Sequence, residues 1–145
     1  MLVSIPAGLQ TIVDEFKEAP PSLRLALLLE YANRLPPLPA GMATDLERVH
    51  ECQTPLFLKA GLSPTGVVEL YFDAPPEAPT TRGFASVISA GLAGATAAEV
   101  MAVPEDFYQD MGLAELISPL RLRGMGAIVG RVKRQLVKAQ GKDQG

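Results

Sequence analysis

Residues 55–72 have the sequence PLFLKAGLSPTGVVELYF, and this stretch decides the fold. Its two ends, residues 55–60 and 67–72, are rich in apolar and β-preferring side chains, which predicts a strand at each end. The six residues between them, GLSPTG, contain two glycines and a proline, which favour turns. The stretch is therefore predicted to form a β-hairpin.

The residues just before the hairpin predict a third short strand and a turn. Residues 48–50 (Arg-Val-His) can form a strand ahead of the hairpin. Cys52 then falls in the tight link between this strand and the next, ahead of Pro55. The only cysteine of the chain is thus expected on a turn.

Two helices are predicted before these strands. A short amphipathic helix around residues 12–16 must end at Pro20, because proline cannot continue the hydrogen-bond ladder. Ser22 is a suitable N-cap for a second helix over residues 23–35. This second segment is apolar nearly all round, which indicates deep burial or a partner on one face.

Several shorter elements are predicted after the hairpin. Residues 74–79 contain three prolines and form an extended loop that leads into a helix with apolar positions from 84 to 92. Residues 96–99 (Thr-Ala-Ala-Glu) have the pattern of a capping box. Pro104 begins a further short helix that ends at Gly112.

The last helix begins at Ser118-Pro119, an N-cap followed by proline at the first helical position. The cations at positions 131, 134 and 138 fall opposite its apolar face, whereas Arg121 lies on the flank and could reach over a neighbouring loop. Gly124 and Gly126 lie inside this helix, where they let another backbone approach closely. The apolar face consists of Leu122, Met125, Val129, Val132 and Leu136.

Composition predicts one soluble cytoplasmic domain. The chain has 145 residues, of which 48% are apolar and 20% charged. Residues 1–10 carry no Lys or Arg, so the basic start of a secretory signal is missing, and the longest uncharged stretch, 83–98, is too short to span a bilayer. One Cys and one His allow neither an intramolecular disulfide nor the usual tetrahedral Cys/His zinc sets.

Charge is unevenly distributed along the chain. Residues 119–145 hold seven basic side chains and one acidic one, whereas the remainder holds six basic and fifteen acidic. Either the cations complement the helix dipole or they contact an acidic partner. Because no aromatic residues are interleaved with them, nucleic-acid binding is disfavoured.

Residues 49–55, VHECQTP, are the sharpest candidate for chemistry. In an extended segment the Cα atoms of His50 and Cys52 lie about 6–7 Å apart, too far for the direct hydrogen bond of a Cys/His hydrolase. A buried, inert cysteine is a second interpretation. A thiol on a turn among polar neighbours favours a reactive group, whose ionisation Glu51 would oppose and Arg121 would assist.

A set of residues and short motifs follows a characteristic order along the chain. It consists of Tyr31, Leu35-Pro36, Arg48-Val49-x-x-Cys52-Gln53, the hairpin, Asp73 with the proline loop, Arg82-Gly83 and Ser118-Pro119-x-Arg121-x-x-Gly124. This order resembles the SufE family of cysteine desulfuration proteins. The resemblance implies a single domain over residues 1–145, with a core of about 10–138 and a flexible C-terminal tail over 139–145.

The resemblance implies an α+β fold similar to IscU-type scaffolds, with a small three-stranded antiparallel sheet and helices packed on one side. It implies that Cys52 accepts persulfide sulfur from a SufS-type cysteine desulfurase and delivers it to a SufBCD-type scaffold for iron–sulfur cluster assembly. Pyridoxal phosphate then belongs to the desulfurase, and this chain needs no cofactor or metal of its own. Homodimer formation stays open. The expected partner-binding residues are His50, Glu51, Gln53, Glu77 and Arg82.

Three positions depart from the pattern of many family members. Glu51 stands where many have Gly, Glu77 stands where many have Asp, and Leu116 stands where many have His. None of these removes the cysteine. Two rival functions remain: a binding module that stimulates a desulfurase without carrying sulfur, and a Cys/His hydrolase.

Overall fold

The computed structural model describes residues 5–42, 45–52 and 54–144. Two short 3-10 helices, Pro21–Leu23 and Phe107–Met111, accompany the longer elements. In chain order those elements are α1 (Ala7–Glu18), α2 (Arg24–Ala32), β1 (Glu47–Arg48), β2 (Phe57–Leu62), β3 (Val68–Asp73), α3 (Pro79–Leu92), α4 (Ala97–Met101) and α5 (Pro119–Gln144).

The three strands form one antiparallel sheet in the order β1-β2-β3. In its register Arg48 faces Phe57, and Leu58 faces Phe72. The hairpin prediction is therefore confirmed. The predicted third strand exists but ends earlier than expected: after the Val49 N–H donates to the Leu56 carbonyl at 2.8 Å, the chain turns away from the sheet.

One face of the sheet is buried beneath helices. Leu58 and Ala60 of β2 alternate with Lys59, and Val68 and Phe72 of β3 lie on the same buried side as Leu58. α5 packs against β2 and α3 packs against β3. This alternation is the period-two pattern of a half-buried strand, and it confirms an α+β fold with helices on one side.

α3 is the centre of the helical layer, because its small residues let two helices approach it closely. A Cβ on Gly83 would lie 2.7 Å from the Leu28 carbonyl oxygen of α2, and one on Gly91 would lie 2.6 Å from the Leu9 side chain of α1. Between these contacts Val87 and Ile88 are fully buried. Glycine at both positions is thus a packing requirement.

The second helix before the sheet differs from its prediction at both ends. Ser22 makes no N-cap: residues Pro21–Leu23 form a 3-10 turn, and α2 runs only from Arg24 to Ala32. Pro21 favours this start because its fixed φ suits a first turn. Leu23 is 55% exposed and Leu25 is also exposed, so the apolar surface of this segment is only partly covered.

The small elements after α3 follow their predictions closely. Thr96 and Glu99 form the predicted capping box at the start of α4. After Pro104 the chain forms a 3-10 helix over Phe107–Met111 rather than an α-helix, and it ends at Gly112, whose φ of 68° is the left-handed conformation that glycine adopts without strain.

α5 has the predicted apolar face, with all five of its predicted members buried. The glycines behave as expected, since a Cβ on Gly126 would lie 2.8 Å from the carbonyl oxygen of Glu105. α5 runs from Pro119 to Gln144. One expectation is wrong: Arg131 does not lie among solvent-facing cations but contacts Glu47 and Glu51. Flexibility of residues 139–145 stays a prediction.

No helix within residues 5–42, 45–52 and 54–144 combines the length and the apolar character needed to cross a bilayer.

Candidate functional site

Cys52 lies on a turn at residues 50–52, between β1 and β2, as predicted. The turn is closed by a hydrogen bond of 3.2 Å from the Cys52 N–H to the Val49 carbonyl. The side chain of Cys52 points inward, and the residue is only 8% exposed. The turn therefore presents Cys52 to the protein interior rather than to solvent.

The wall behind the thiol is the first turns of α5. Cys52 Sγ lies 4.0 Å from the carbonyl oxygen of Gly124, a weak hydrogen bond. A Cβ on Gly124 would lie 3.2 Å from that sulfur, so a larger residue there would press on the thiol. The close approach of the loop to α5 thus depends on the glycine of the Ser-Pro-x-Arg-x-x-Gly motif.

A small cavity of about 30 Å³ adjoins the sulfur. It lies where three elements meet: the cysteine loop, the start of α3 and the start of α5. A hydrogen bond of 2.8 Å between the hydroxyls of Thr54 and Thr81 ties the loop to α3 at this point. Space of this size holds a water molecule but no larger ligand. The lining residues are Glu51, Cys52, Thr54, Thr81, Phe84, Leu120 and Arg121.

Burial, together with the neighbouring Glu51 carboxylate, raises the pKa of the Cys52 thiol to about 11, while the Arg131 guanidinium works in the opposite direction. At pH 7 very little of the thiol is then present as the thiolate, which is the nucleophilic form. The loop in this position keeps the sulfur protonated and unreactive. The opposition from Glu51 agrees with the sequence expectation.

A group of charged residues holds the loop from the side. Arg131 of α5 donates from Nε to Glu51 Oε1 at 2.9 Å, and another of its nitrogens lies 2.8 Å from the same oxygen. Arg131 also contacts Glu47 of β1. Burial acts against the charge of Arg131, but both contacts raise its pKa. The pKa of Glu47 is lowered by Gln135 and Arg131, and that of Glu51, despite burial, by a backbone hydrogen bond and Arg131.

Gln135 completes this group one turn further along α5. Its Oε1 accepts from the Ala60 N–H at 2.7 Å, and its Nε2 donates to Glu47 at 2.8 Å. β1 is too short to pair with Ala60, so Gln135 occupies the place of a strand partner. The hydrogen bond from Gln135 is also the largest cause of the lowered pKa of Glu47.

The predicted supporting cation, Arg121, is exposed and lines the small cavity beside Cys52. The guanidinium that lowers the pKa of Cys52 is that of Arg131. Sequence reasoning missed this role, since residue 131 is 79 positions from Cys52 and its place in α5 indicated a solvent-facing cation. The one available signal was a pair of acids four positions apart, Glu47 in the short strand and Glu51 just after it.

The other predicted site residues lie around the loop rather than beside the sulfur. His50 is exposed, whereas Cys52 faces inward, which disfavours the Cys/His hydrolase. Glu77 is exposed in the proline loop, and Arg82 braces that loop by donating to the Ala74 carbonyl at 2.6 Å. Gln53 lies outside the described residues. Partner binding by these residues stays a prediction.

Within the described ranges, no three His, Cys, Asp or Glu side chains come together in a way that could hold a metal ion. The fold and the site define a class of small α+β protein in which a shielded loop cysteine is the candidate reactive group. The chain belongs to the SufE family, because the family's Fe–S metabolism associated domain matches residues 10–136. Membership assigns the chain a role in iron–sulfur metabolism.

Three relatives illustrate this membership. An uncharacterised SufE-like protein of Mycobacterium tuberculosis is 55% identical over 94% of this chain and 96% of its own length. The solution structure of a hypothetical protein from Thermus thermophilus matches with a TM-score of 0.86 and 45% identity, over 95% of this chain and 99% of that one. SufE-like protein 1 of Arabidopsis thaliana, named chloroplastic/mitochondrial, is 27% identical over 83% of this chain and 32% of its own length.

Proposed function

We propose that the chain is a sulfur carrier that accepts persulfide sulfur on Cys52 from a SufS-type cysteine desulfurase and passes it to a SufBCD-type scaffold for cluster assembly. The observation that carries this proposal is the position of the only cysteine, on a turn at the sheet edge, in a chain of the SufE family. Pyridoxal phosphate then resides in the desulfurase. Both proteins would meet in the cytoplasm.

The transfer is a thiol exchange. The Cys52 thiolate attacks the terminal sulfur of the desulfurase's cysteine persulfide, forming a new S–S bond to Cys52. The S–S bond to the desulfurase cysteine breaks, and that cysteine leaves as a thiolate. The transferred sulfur keeps its proton, so Cys52 becomes a persulfide, and no external oxidant or reductant is consumed.

The shielded position of Cys52 supports this role. A persulfide is easily reduced by other thiols, and a cavity that admits no molecule much larger than water protects it between acceptance and delivery. The same shielding prevents attack in the isolated chain, because the protonated thiol is a poor nucleophile. Docking must therefore move the loop outward.

The surface around the cavity is the proposed docking area. Leu120 is 53% exposed and Arg121 is exposed beside it, both at the mouth of the cavity that contains Cys52. An exposed apolar side chain next to a cation is common in protein interfaces. His50 on the loop and Glu77 and Arg82 on the proline loop complete the proposed contact residues.

Replacement of Cys52 by Ser tests the proposal. We expect the parent protein to raise alanine release by a SufS-type desulfurase several-fold, and Cys52→Ser to lose this stimulation while still binding the desulfurase. A stimulation that survives in Cys52→Ser would instead identify a non-carrying activator. Arg121→Ala is the matched surface variant: it keeps the thiol and should weaken binding.

A further inference from the structure

Arg131 connects the cysteine loop to the body of the protein. Two nitrogens on one edge of its guanidinium contact Glu51 Oε1: Nε lies 2.9 Å from this oxygen and a terminal nitrogen lies 2.8 Å from it. Its other terminal nitrogen contacts Glu47 of β1. Because the side chain of Arg131 is only 11% exposed, its charge is poorly solvated by water and depends on these carboxylates.

Few other contacts hold the loop against α5. Among the described residues, the hydrogen bonds recorded between residues 50–52 and α5 are the one from Arg131 to Glu51 and the weak one from Cys52 Sγ to the Gly124 carbonyl, at 4.0 Å. A charge-assisted contact of two nitrogens is the stronger of these. Since Glu51 directly precedes Cys52, its position fixes the direction of the thiol.

The contact also has room to open. The side chain of Glu51 is 47% exposed, and it borders an open groove of about 500 Å³ that Arg134 also lines. Arg131 would stay in place when Glu51 leaves, because Glu47 retains it and Gln135 in turn holds Glu47. Arg131 is therefore the residue that stays in place, and Glu51 is the residue that can move.

We propose that the ion pair between Glu51 and Arg131 is a latch that keeps the Cys52 loop in its shielded position and opens when Cys52 meets the persulfide of the desulfurase. This inference rests on the proposed function of Cys52. Arg131 is a positioning residue, since it acts on the sulfur through Glu51 and the loop. Glu51 thereby has a role at the position where many SufE proteins have glycine.

Two effects of Arg131 have opposite signs, which makes the latch testable. As a nearby positive charge, Arg131 favours the Cys52 thiolate, so its removal would slow reaction of the thiol. As a latch, Arg131 keeps the thiol buried, so its removal would speed the reaction. The sign of the change decides between a purely electrostatic role and a latch.

The measurement is the rate of alkylation of Cys52 by iodoacetamide in the isolated protein at fixed pH. We expect Arg131→Gln to react about two- to fivefold faster than the parent, the range that a partly exposed ion pair contributes to an opening equilibrium. Lys138→Gln is the matched control, because it removes an exposed cation from the same helix and leaves the contacts of Arg131 intact, so it should change the rate by less than about 1.5-fold. An unchanged or slower rate in Arg131→Gln would overturn the latch.

A second variant is used if circular dichroism shows that Arg131→Gln does not fold. Arg131→Lys keeps the charge but cannot contact Glu51 with two nitrogens. A latch predicts faster alkylation of this variant, whereas a purely electrostatic role predicts no change. Either outcome decides the question.

The latch and the proposed function fail in different ways. Alkylation requires no desulfurase, so it tests the latch by itself. Intact mass after incubation with desulfurase and cysteine tests the sulfur-carrying role in the same variants. Normal sulfur loading with unchanged alkylation would reject only the latch, and faster alkylation without sulfur loading would reject only the carrier role.

Discussion

At the scale of the residue, Cys52 combines a position suited to transfer with an environment that prevents it. The turn ahead of Pro55 and the polar neighbours of the thiol were predictable from the sequence. Its burial was not, because the wall behind the sulfur is Gly124, 72 residues further along the chain. Local sequence determines the turn, whereas the exposed fraction of the Cys52 side chain depends on which helix packs against the turn.

The pH dependence of thiol reactivity follows from this burial. A pKa raised to about 11 leaves less thiolate at neutral pH and moves the reactive range upward. We expect alkylation of the isolated protein to accelerate about tenfold per pH unit from pH 7 to 10 without levelling off. The same protein in urea should level off near pH 8.5–9, as an exposed thiol does. A plateau below pH 9 in the folded protein would contradict the shielded position.

At the scale of the element, α5 carries both the core and the site. Its apolar face was predictable from a spacing of three and four residues, and all of that face is buried. The role of its flank was not predictable, because periodicity says nothing about which strand or loop lies beside a helix. Arg131 was therefore placed opposite the apolar face and Gln135 received no prediction, although both join α5 to the sheet edge or the cysteine loop.

Gln135 gives a test of this connection through stability. Gln135→Ala leaves the Ala60 N–H of β2 without its acceptor, and a partly buried donor of this kind costs about 1–3 kcal/mol. We expect the free energy of unfolding in urea to fall by that amount. Gln140→Ala on an exposed part of the same helix should change it by less than about 0.5 kcal/mol. Equal effects of the two substitutions would show that Gln135 does not support the strand.

At the scale of the whole molecule, the order of the motifs along the chain indicated the family better than any single element did. The hairpin, the proline loop and the Ser-Pro start of α5 were each recognisable, and together with Cys52 they indicated the family that residues 10–136 match. The extent of α2 was mispredicted by a few residues, because helix ends depend on neighbouring turns as well as on propensity. The site forms only when the loop, α3 and α5 meet, so its electrostatics required the complete fold.

The central claim is that Cys52 carries sulfur, and the most direct measurement is the intact mass of the protein after incubation with a SufS-type desulfurase and cysteine. The account predicts one added sulfur atom that a reductant removes, located on Cys52 by peptide mapping, and no addition to Cys52→Ser. A parent protein that gains no sulfur, or a Cys52→Ser variant that gains as much, would contradict it.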